Sequence, residues 1–234
     1  MIESVIATRL PMARNNVYFV TGTDTGVGKT FIASALLRAA RERGLTCVGY
    51  KPIAAGATPQ DGSLVNEDAL ELIEAADTGL DYATINPVVL GPAIAPHIAL
   101  ARIGRRVTAR ELAVACPEGA AFTLVESAGG WFVPLNECET LADVCLALGA
   151  KVILVIAMKL GCLNHALLTA NAIESAGLDL AGWVANSLGE PMPFLAENLA
   201  TLREWLHAPC LGVVPQVDSP ENAVRFLDLG FLCH

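Results

Sequence analysis

The sequence lacks any uninterrupted apolar stretch of the roughly 20 residues that a membrane-spanning helix needs. Hydrophobic residues nevertheless make up 53% of the chain, and charged residues only 17%. Apolar residues that are not gathered into such a stretch are typical of a buried β-sheet. We therefore expect no membrane association.

Basic residues are also few. The chain has 15 Lys and Arg residues against 24 Asp and Glu residues, and its formal net charge is −9. Proteins that bind the phosphate backbone of nucleic acids carry clustered Lys and Arg instead. We therefore expect no nucleic-acid partner and a small-molecule substrate.

The cysteines include no C-x-x-C pair. They are odd in number and scattered, which is typical of reduced thiols and makes structural zinc a poor fit. The 7 cysteines are Cys47, Cys116, Cys138, Cys145, Cys162, Cys210 and Cys233. This pattern favours a cytoplasmic protein.

Residues 1–16 lack the continuous apolar core of a secretory signal, because Glu3, Arg9, Pro11 and Arg14 interrupt them. We interpret residues 1–16 as a disordered N-terminal extension. No linker or repeat marks a boundary in residues 17–234, and their length suits one α/β domain. We therefore expect a single domain there.

Short apolar runs alternate with segments that have helical spacing of Leu, Ile and Ala. The predicted strands are Val17–Thr21, Cys47–Tyr50, Phe122–Glu126, Val152–Ile156, Leu180–Ala185 and Leu211–Val214. The predicted helices are Thr30–Arg43, Asp68–Ala76, Leu141–Leu148, Asn164–Ala176 and Pro193–Leu206. This alternation predicts an α/β fold with a mostly parallel sheet and helices on both faces. Ligands of such sheets bind beyond the carboxyl ends of the strands.

A glycine-rich segment, Gly22-Thr23-Asp24-Thr25-Gly26-Val27-Gly28-Lys29-Thr30, joins the first strand to the first helix. This order predicts a phosphate loop, in which backbone N–H groups and Lys29 bind phosphates and Thr30 binds Mg²⁺. The G-x-x-x-x-G-K-[ST] pattern is missed at one position, because Thr23 replaces its first glycine. The alternative is a glycine-rich turn that caps an ordinary helix.

Two carboxylates are candidate magnesium ligands beside this loop. Glu126 ends the apolar run of the third strand and precedes the segment Ser127-Ala128-Gly129-Gly130, which we interpret as a turn. Asp68 opens a helical segment after Asn66. For Glu126 the alternative is a plain strand end, and for Asp68 it is a helix N-cap, a role that Asn66 could fill equally well.

Two further segments follow strands. Lys51 comes directly after the second strand, where a cation could stabilise transferring charge, although a lone lysine is more often solvated. The segment 159–165 leads from the fourth strand into a helix whose N-terminus could bind a carboxylate or phosphate. Its alternative is a connector capped by Asn164.

Together these motifs resemble the dethiobiotin synthetase family. The resemblance covers residues 17–225 and includes motifs that other P-loop proteins do not share. Its motifs are Thr21-Gly22-Thr23-Asp24-Thr25, Lys51-Pro52, Asn66-Glu67-Asp68-Ala69, Glu126 with Gly129-Gly130-Trp131, Lys159-Leu160-Gly161-Cys162 and Pro220-Glu221-Asn222-Ala223. The resemblance implies a homodimer that converts 7,8-diaminononanoate, CO₂ and MgATP into dethiobiotin, ADP and phosphate.

The resemblance also implies a chemical route and a set of site residues. One amine forms a carbamate, the carbamate takes the γ-phosphate, and the second amine displaces phosphate to close the ring. The implied Mg²⁺ ligands are Thr30, Asp68 and Glu126, and the implied catalytic residues are Lys51, Lys29 and Thr25. The implied ATP-binding residues are Gly26, Val27, Gly28, Lys29, Thr30, Phe31, Asp68, Glu126, Ser127, Ala128, Gly129, Asn186, Ser187, Pro215, Gln216, Val217 and Glu221. The last six, from Asn186 onward, match the family's adenosine-binding stretches. The implied substrate-binding residues are Lys51 and, from the neighbouring subunit at a shared active site, Gly161, Cys162 and Asn164.

Three positions depart from the family pattern. Gly26 stands where the family often has an acidic residue, and Ala55 where it often has a small hydroxyl residue. Ser127 replaces a common glycine, and its Cβ could crowd the nucleotide. We expect the activity to survive these changes, with an altered substrate affinity.

Three other classes of protein share parts of this pattern. Cobyrinic acid diamide synthases have a similar ATP-binding half, but 234 residues leave no room for their glutaminase domain. Partitioning and septum-site ATPases place a second lysine five residues before the invariant one, where this chain has Asp24. A catalytically inactive nucleotide-binding paralogue finds no support, because every expected phosphate-facing group is present.

Overall fold

A computed structural model of the chain describes residues 16–189 and 192–232. The predicted N-terminal extension therefore lies outside the described residues, apart from Asn16. In the described part the strands are β1 Val17–Gly22, β2 Cys47–Tyr50, β3 Ile53–Ala55, β4 Thr58–Gln60, β5 Ser63–Val65, β6 Val88–Leu90, β7 Phe122–Gly130, β8 Lys151–Ala157, β9 Leu180–Asn186 and β10 Cys210–Val214. The helices there are α1 Lys29–Glu42, α2 Glu67–Ala76, α3 Tyr82–Ile85, α4 Pro96–Arg102, α5 Ala109–Val114, α6 Leu141–Leu148, α7 Cys162–Ser175, α8 Leu195–Trp205 and α9 Pro220–Ala223, followed by a 3₁₀ turn at Val224–Phe226.

Six strands form one parallel sheet in the order β10-β9-β8-β1-β7-β2. β1 lies between β8 and β7, so the chain builds the sheet outward from β1 in both directions. In such sheets ligands bind in the crevice where the strand order reverses, outside the carboxyl ends of the strands. The crevice here lies at the carboxyl end of β1, next to the predicted phosphate loop.

Apolar side chains of β1 alternate between two hydrophobic clusters, one on each face of the sheet. Tyr18 and Val20 pack in the cluster that includes residues of α1, α2 and α9. Phe19 packs in the cluster that includes residues of α4, α5, α6, α7 and α8. Alternation follows from the two-residue period of a strand, and burial on both faces explains why the strands read as continuous apolar runs.

The six predicted strands of the main sheet and the five predicted helices are confirmed, with boundaries that differ by a few residues. One boundary changes the interpretation of a site residue. β7 continues to Gly130, so the predicted turn after Glu126 is wrong, and Glu126 lies inside the strand. The extension is possible because β7 is paired with β1 as far as Gly130, which lies opposite Gly22 after a register shift.

Two small sheets, absent from the sequence prediction, lie between β2 and β7 in the chain. β3 pairs with β6 in parallel, and β4 pairs with β5 as a hairpin. The hairpin turns at Asp61-Gly62, where φ is 49° and 82° respectively. Asp-Gly is a strong signal for a two-residue hairpin, but strands of three residues are too short to show a periodic pattern.

No helix in the described part of the chain is long and apolar enough to cross a membrane. Cys138, Cys145, Cys162 and Cys210 are free thiols, as expected for a reduced protein.

Candidate active site

The segment between β1 and α1 is a loop that ends in two glycines with left-handed backbone. Gly26 has φ of 72° and Gly28 has φ of 83°, a region that residues with a Cβ rarely adopt. Gly28 is the N-cap of α1 and provides no side-chain cap, so the first N–H groups of α1 face the loop unblocked by a capping side chain. Free N–H groups and the helix dipole are the features by which a helix start can bind phosphate.

Asn186, at the carboxyl end of β9, anchors this loop through a hydrogen bond. Its Nδ2 donates a hydrogen bond to Val27 O at 3.0 Å, and the side chain is buried. A Cβ added to Gly28 would lie 2.2 Å from the same Nδ2, so only glycine fits there. The close approach fixes the path of the loop just before Lys29.

Lys51 forms a buried ion-pair cluster with two carboxylates. Its Nζ lies 2.7 Å from Asp68 Oδ2 and 2.7 Å from Glu126 Oε1. Thr30 Oγ1 donates to the same Glu126 oxygen at 2.8 Å. The lysine side chain is 3% exposed, so the alternative of a solvated lysine is wrong. Its charge is accommodated because the two carboxylates pair with it.

The ion pairs shift the pKa values of the cluster. Burial by itself lowers the pKa of Lys51, but the charges of Glu126 and Asp68 outweigh it and raise the pKa overall. Burial would raise the pKa of Asp68, yet the neighbouring Lys51 ammonium holds it below the usual range. Burial lowers the pKa of Lys29, although the Glu126 carboxylate opposes this shift. Lys51 therefore keeps its proton at neutral pH.

The cap of α2 leaves Asp68 available for this cluster. Asn66 Oδ1 accepts a hydrogen bond from Ala69 N–H at 3.3 Å, so Asn66 is the N-cap. The carboxylate of Asp68, one residue into the helix from Glu67, points to Lys51 instead. The alternative interpretation of Asp68 as the helix cap is therefore wrong.

Thr30, Asp68 and Glu126 supply a set of oxygen donors that fits Mg²⁺. Mg²⁺ in phosphate sites is held by one or two carboxylates, with phosphates and water in the remaining positions. Within residues 16–189 and 192–232, no group of three or more His, Cys, Asp or Glu residues could hold a metal alone. Glu126 Oε2 is buried and has no hydrogen-bond partner among these residues. An unpartnered buried oxygen beside a threonine hydroxyl is what a bound cation would satisfy.

A cavity of about 650 Å³ opens over the loop and the lysine cluster. It brings together most of the predicted phosphate, metal and catalytic residues. Those lining it are Thr25, Gly26, Gly28, Lys29, Thr30, Lys51, Asp68, Glu126, Ser127, Ala128 and Gly129. Apolar residues line it as well, namely Ala54, Ala55, Ala93, Ile94, Ala95, Pro96 and Val133. The lining of the cavity thus combines charged and apolar side chains.

The segment Ala93–Pro96 is a part of the cavity wall that the sequence analysis missed. It precedes and begins α4, and Gly56 N–H, next to Ala55, donates to Pro92 O at 3.1 Å. The segment carries no charged or nucleophilic side chain, so its composition gave no signal of a site. The Gly91-Pro92 pair before it marks a turn in the sequence but not what that turn faces.

The predicted adenosine-binding residues lie outside this cavity. Ser187 follows β9 and donates its N–H to Val214 O at 2.9 Å, so it sits beside the end of β10. The residues 215–217 follow β10 directly, with Gln216 exposed. Glu221 on α9 forms an ion pair with Arg38 of α1 at 2.8 Å. Val27 is buried, and Phe31 is half-buried against the core.

The predicted carboxylate-binding turn does not line the cavity of its own chain. Gly161 is the N-cap of α7 with φ of 92°, and no side chain caps the helix. Asn164 is exposed in the first turn, so its interpretation as the cap is wrong, and Cys162 is buried. Lys159 Nζ lies 3.9 Å from Asp24 Oδ2, which puts the turn near the phosphate loop.

The structure shows what surrounds the three positions that depart from the family pattern. A Cβ on Gly26 would meet no atom within 4 Å, but its φ of 72° would strain an acidic residue. Ser127 is fully buried, and its Oγ donates to Thr21 Oγ1 at 3.4 Å, a hydrogen bond across to β1. Ala55 lines the cavity.

A parallel sheet with a phosphate loop after its first strand, two lysines and a threonine with two carboxylates define a P-loop nucleoside triphosphatase. Solved structures agree with this fold. The septum-site protein MinD of Pyrococcus horikoshii, complexed with Mg-ADP, matches with a TM-score of 0.52 at 19% identity, covering 86% of this chain and 81% of MinD. Pyrococcus furiosus MinD matches with a TM-score of 0.53 at 20% identity, covering 88% and 84%. At such identities the likeness concerns the fold alone.

Sequence comparisons define the family. A family model described as an AAA domain matches residues 16–224. The ATP-dependent dethiobiotin synthetase BioD of Cellvibrio japonicus is 51% identical over 91% of this chain and 95% of its own length. The Pseudomonas aeruginosa PAO1 and Escherichia coli K12 proteins of that name are 49% and 45% identical, over 91% and 92% of this chain and 96% and 98% of their own lengths. The chain belongs to the ATP-dependent dethiobiotin synthetase family.

Proposed function

We propose that this protein is the ATP-dependent ligase that converts 7,8-diaminononanoate and CO₂ into dethiobiotin, in biotin biosynthesis. The observation that carries the proposal is the Lys51 ammonium in the same cavity as a complete phosphate loop. Family membership supports the same reaction. We further propose that it acts in the cytoplasm, where thiols stay reduced.

The proposed chemistry needs no nucleophilic side chain. One amine of the substrate adds to CO₂ and loses a proton, which gives a carbamate. A carbamate oxygen attacks the γ-phosphorus of ATP, and ADP leaves. The second amine attacks the carbamate carbon, and phosphate leaves as the ring closes. Phosphoryl transfer of this kind requires mainly positioning and charge stabilisation from the protein.

In this proposal two lysines stabilise negative charge, Lys29 on the phosphates and Lys51 on the carbamate. Lys29, at the start of α1, contacts the β- and γ-phosphates, with the backbone of Gly26–Phe31 around the triphosphate. Lys51 orients the carbamate and offsets its charge, with Thr25 nearby on the cavity wall. Lys51 donates hydrogen bonds to both carboxylates as an ammonium, so in this proposal it acts by charge and hydrogen bonding and not as a base.

Thr30, Asp68 and Glu126 would hold Mg²⁺ in this site. When bound, the ion neutralises charge on the β- and γ-phosphates. Thr30 Oγ1 and Glu126 Oε1 already meet at 2.8 Å, which keeps the two donors together. The apolar wall around Ile94 and Val133 suits the aliphatic chain of the diamine.

We also propose that the protein is a homodimer with the active site at the subunit interface. Gly161, Cys162 and Asn164 would bind the substrate carboxylate in the neighbouring subunit's site. Apolar side chains near this turn support a partner surface, because Leu160 is 95% exposed and Leu168 is 63% exposed. Contiguous exposed apolar surface often marks an interface.

Phosphate release from ATP tests the reaction. We expect release to require the diamine and bicarbonate together, since the carbamate is the phosphate acceptor. Dethiobiotin, measured by mass spectrometry, should accumulate in equal amount. A matched assay with 1,8-diaminooctane, whose amines are not adjacent, should give no ring. Equal phosphate release without any diamine would disprove the ligase proposal.

Subunit complementation tests the shared site. Lys51→Ala removes the cation that one subunit supplies to a site. Asn164→Asp alters the turn that the other subunit supplies, and its carboxylate should repel the substrate carboxylate. If the site is shared, a heterodimer of the two variants has one site in which both Lys51 and Asn164 are intact. After mixing and exchange of subunits, we expect about a quarter of wild-type activity. A mixture no more active than the separate variants would show that each chain holds its whole site.

A further inference from the structure

A chain of hydrogen bonds joins the backbone of Lys51 to the start of α2, where Asp68 lies. Asn86 Nδ2 donates to Lys51 O at 2.7 Å. The hydroxyl of Tyr82 donates to Asn86 Oδ1 at 2.9 Å and accepts the N–H of Asn66 at 2.8 Å. The Tyr82 hydroxyl is therefore the central link between the two segments.

The Asn66 end of this chain fixes the helix that carries Asp68. Asn66 caps α2, and its Nδ2 also donates to Ala55 O at 3.4 Å. Asp68 lies in the first turn of α2, so a displacement of Asn66 moves the Asp68 carboxylate with it. Asn66 is 7% exposed, and a buried amide that lost its partners would be unfavourable.

The Asn86 end fixes the lysine. Asn86 is 2% exposed, and it is the C-cap residue that follows α3. Lys51 N–H also donates to Ile85 O at 2.9 Å, so both backbone polar groups of Lys51 are bound to the end of α3. With its backbone held on two sides, Lys51 has a fixed starting point from which its ammonium reaches Asp68 and Glu126.

We propose that Tyr82 is a positioning residue that sets Lys51 against Asp68, acting with Asn66 and Asn86. Tyr82 does not line the cavity, so it acts through these neighbours and touches no substrate. The inference rests on the proposed role of Lys51 in phosphoryl transfer. A misplacement of about 1 Å in such a site lowers turnover by about a hundredfold, so a link of three hydrogen bonds matters for rate.

Tyr82→Phe tests the proposal, with Tyr50→Phe as the matched control. Both changes remove one tyrosine hydroxyl from a hydrogen bond, because Tyr50 OH donates to Leu112 O at 2.7 Å. We expect both variants to unfold at a lower temperature than the wild type. Only Tyr82→Phe should lower kcat, by about tenfold, with KM for ATP within about twofold of the wild type. The Mg²⁺ concentration for half-maximal ATP binding should rise only in Tyr82→Phe, because Asp68 is displaced.

Two outcomes would overturn the inference. One is wild-type kcat and Mg²⁺ dependence in folded Tyr82→Phe, and the other is an equal loss of kcat in Tyr50→Phe. If Tyr82→Phe does not fold, Asn86→Ser breaks the bond to Lys51 O and should give the same separation of kcat from KM. If the wild-type protein shows no diamine-dependent release of phosphate, the proposed function is disproved but the inference about Tyr82 is not. The Mg²⁺ titration of ATP binding would then still test the inference, since it needs no turnover.

Discussion

Lys51 Nζ lies 2.7 Å from Glu126 Oε1, and the two side chains are 3% and 1% exposed. Lys51 follows β2 and Glu126 lies in β7, which are neighbours in the sheet. Their contact lies at the carboxyl edge of the sheet, beside the loop that precedes α1. This pair thus connects the proposed metal site with the proposed carbamate site.

Lys51→Ala is expected to lower turnover at least a hundredfold while ATP affinity stays within about threefold, because Lys51 is proposed to face the carbamate. Turnover by product assay and ATP binding by calorimetry measure the two effects. The variant should also lose about 3 kcal/mol of stability, since it leaves Glu126 buried without its cation. Lys159→Ala, an exposed lysine, is the control and should keep stability. A large loss of ATP binding in Lys51→Ala would contradict the placement of the ammonium.

Glu126→Gln is expected to raise the half-saturating Mg²⁺ concentration by about tenfold or more. The amide keeps the shape of the side chain but removes the charge, and one oxygen of the site becomes a donor that repels the cation. A Mg²⁺ titration of phosphate release measures the change. Glu74→Gln, an exposed residue paired with Arg38, is the control and should match the wild type. An unchanged titration in Glu126→Gln would remove Glu126 from the metal site.

Asn186→Ala is expected to weaken binding of ATP and of inorganic tripolyphosphate alike, by about tenfold, because it frees the Val27 carbonyl and loosens the phosphate loop. Tripolyphosphate has no base, so it reports on the loop alone. Calorimetry with both ligands measures the two affinities. Gln216→Ala, in the predicted adenosine segment, should weaken only ATP. If Asn186→Ala binds tripolyphosphate as well as the wild type, its bond to Val27 has no part in phosphate binding.

Asp68→Asn is expected to lower stability at neutral pH by about 1 kcal/mol or less, because the Asp68 carboxylate is 43% exposed. The pKa of folded Asp68 lies below the ordinary aspartate value of 3.8, so its ion pair stabilises the fold above that value. As the pH falls through the folded pKa this contribution is lost, and the difference between wild type and variant should vanish. Urea unfolding across a pH series measures it. Asp61→Asn, in the exposed β4–β5 turn, should match the wild type throughout. A difference that persists in acid would contradict the ion-pair explanation.

The phosphate loop could be predicted from the sequence because its signal is local. Strand, glycine loop and helix are contiguous, and the positions of Lys29 and Thr30 follow from the spacing alone. The strands of the main sheet were also predictable, since burial on both faces makes each one an apolar run. For the same reason the placement of Lys51 at a strand end was correct.

Other features could not be read from local patterns. The length of β7 depends on its pairing with β1, so the residues after Glu126 looked like a turn. Asn66 and Asp68 were equal candidates for the cap of α2, and only the packing of α2 against Lys51 separates them. Tyr82 gave no signal, because its importance arises from a contact with Asn66 on another segment and from Asn86, whose side chain reaches Lys51 only in the folded chain.

The sequence by itself determined the fold class, the family and the position of the glycine loop before α1, because short-range spacing and apolar runs carry that information. The tertiary structure decided which charges meet. Lys51 lies 17 residues from Asp68 and 75 residues from Glu126 along the chain, yet one ammonium contacts both. Burial then makes the pairing obligatory, since a lysine removed from water is stable only beside carboxylates that folding has brought to it.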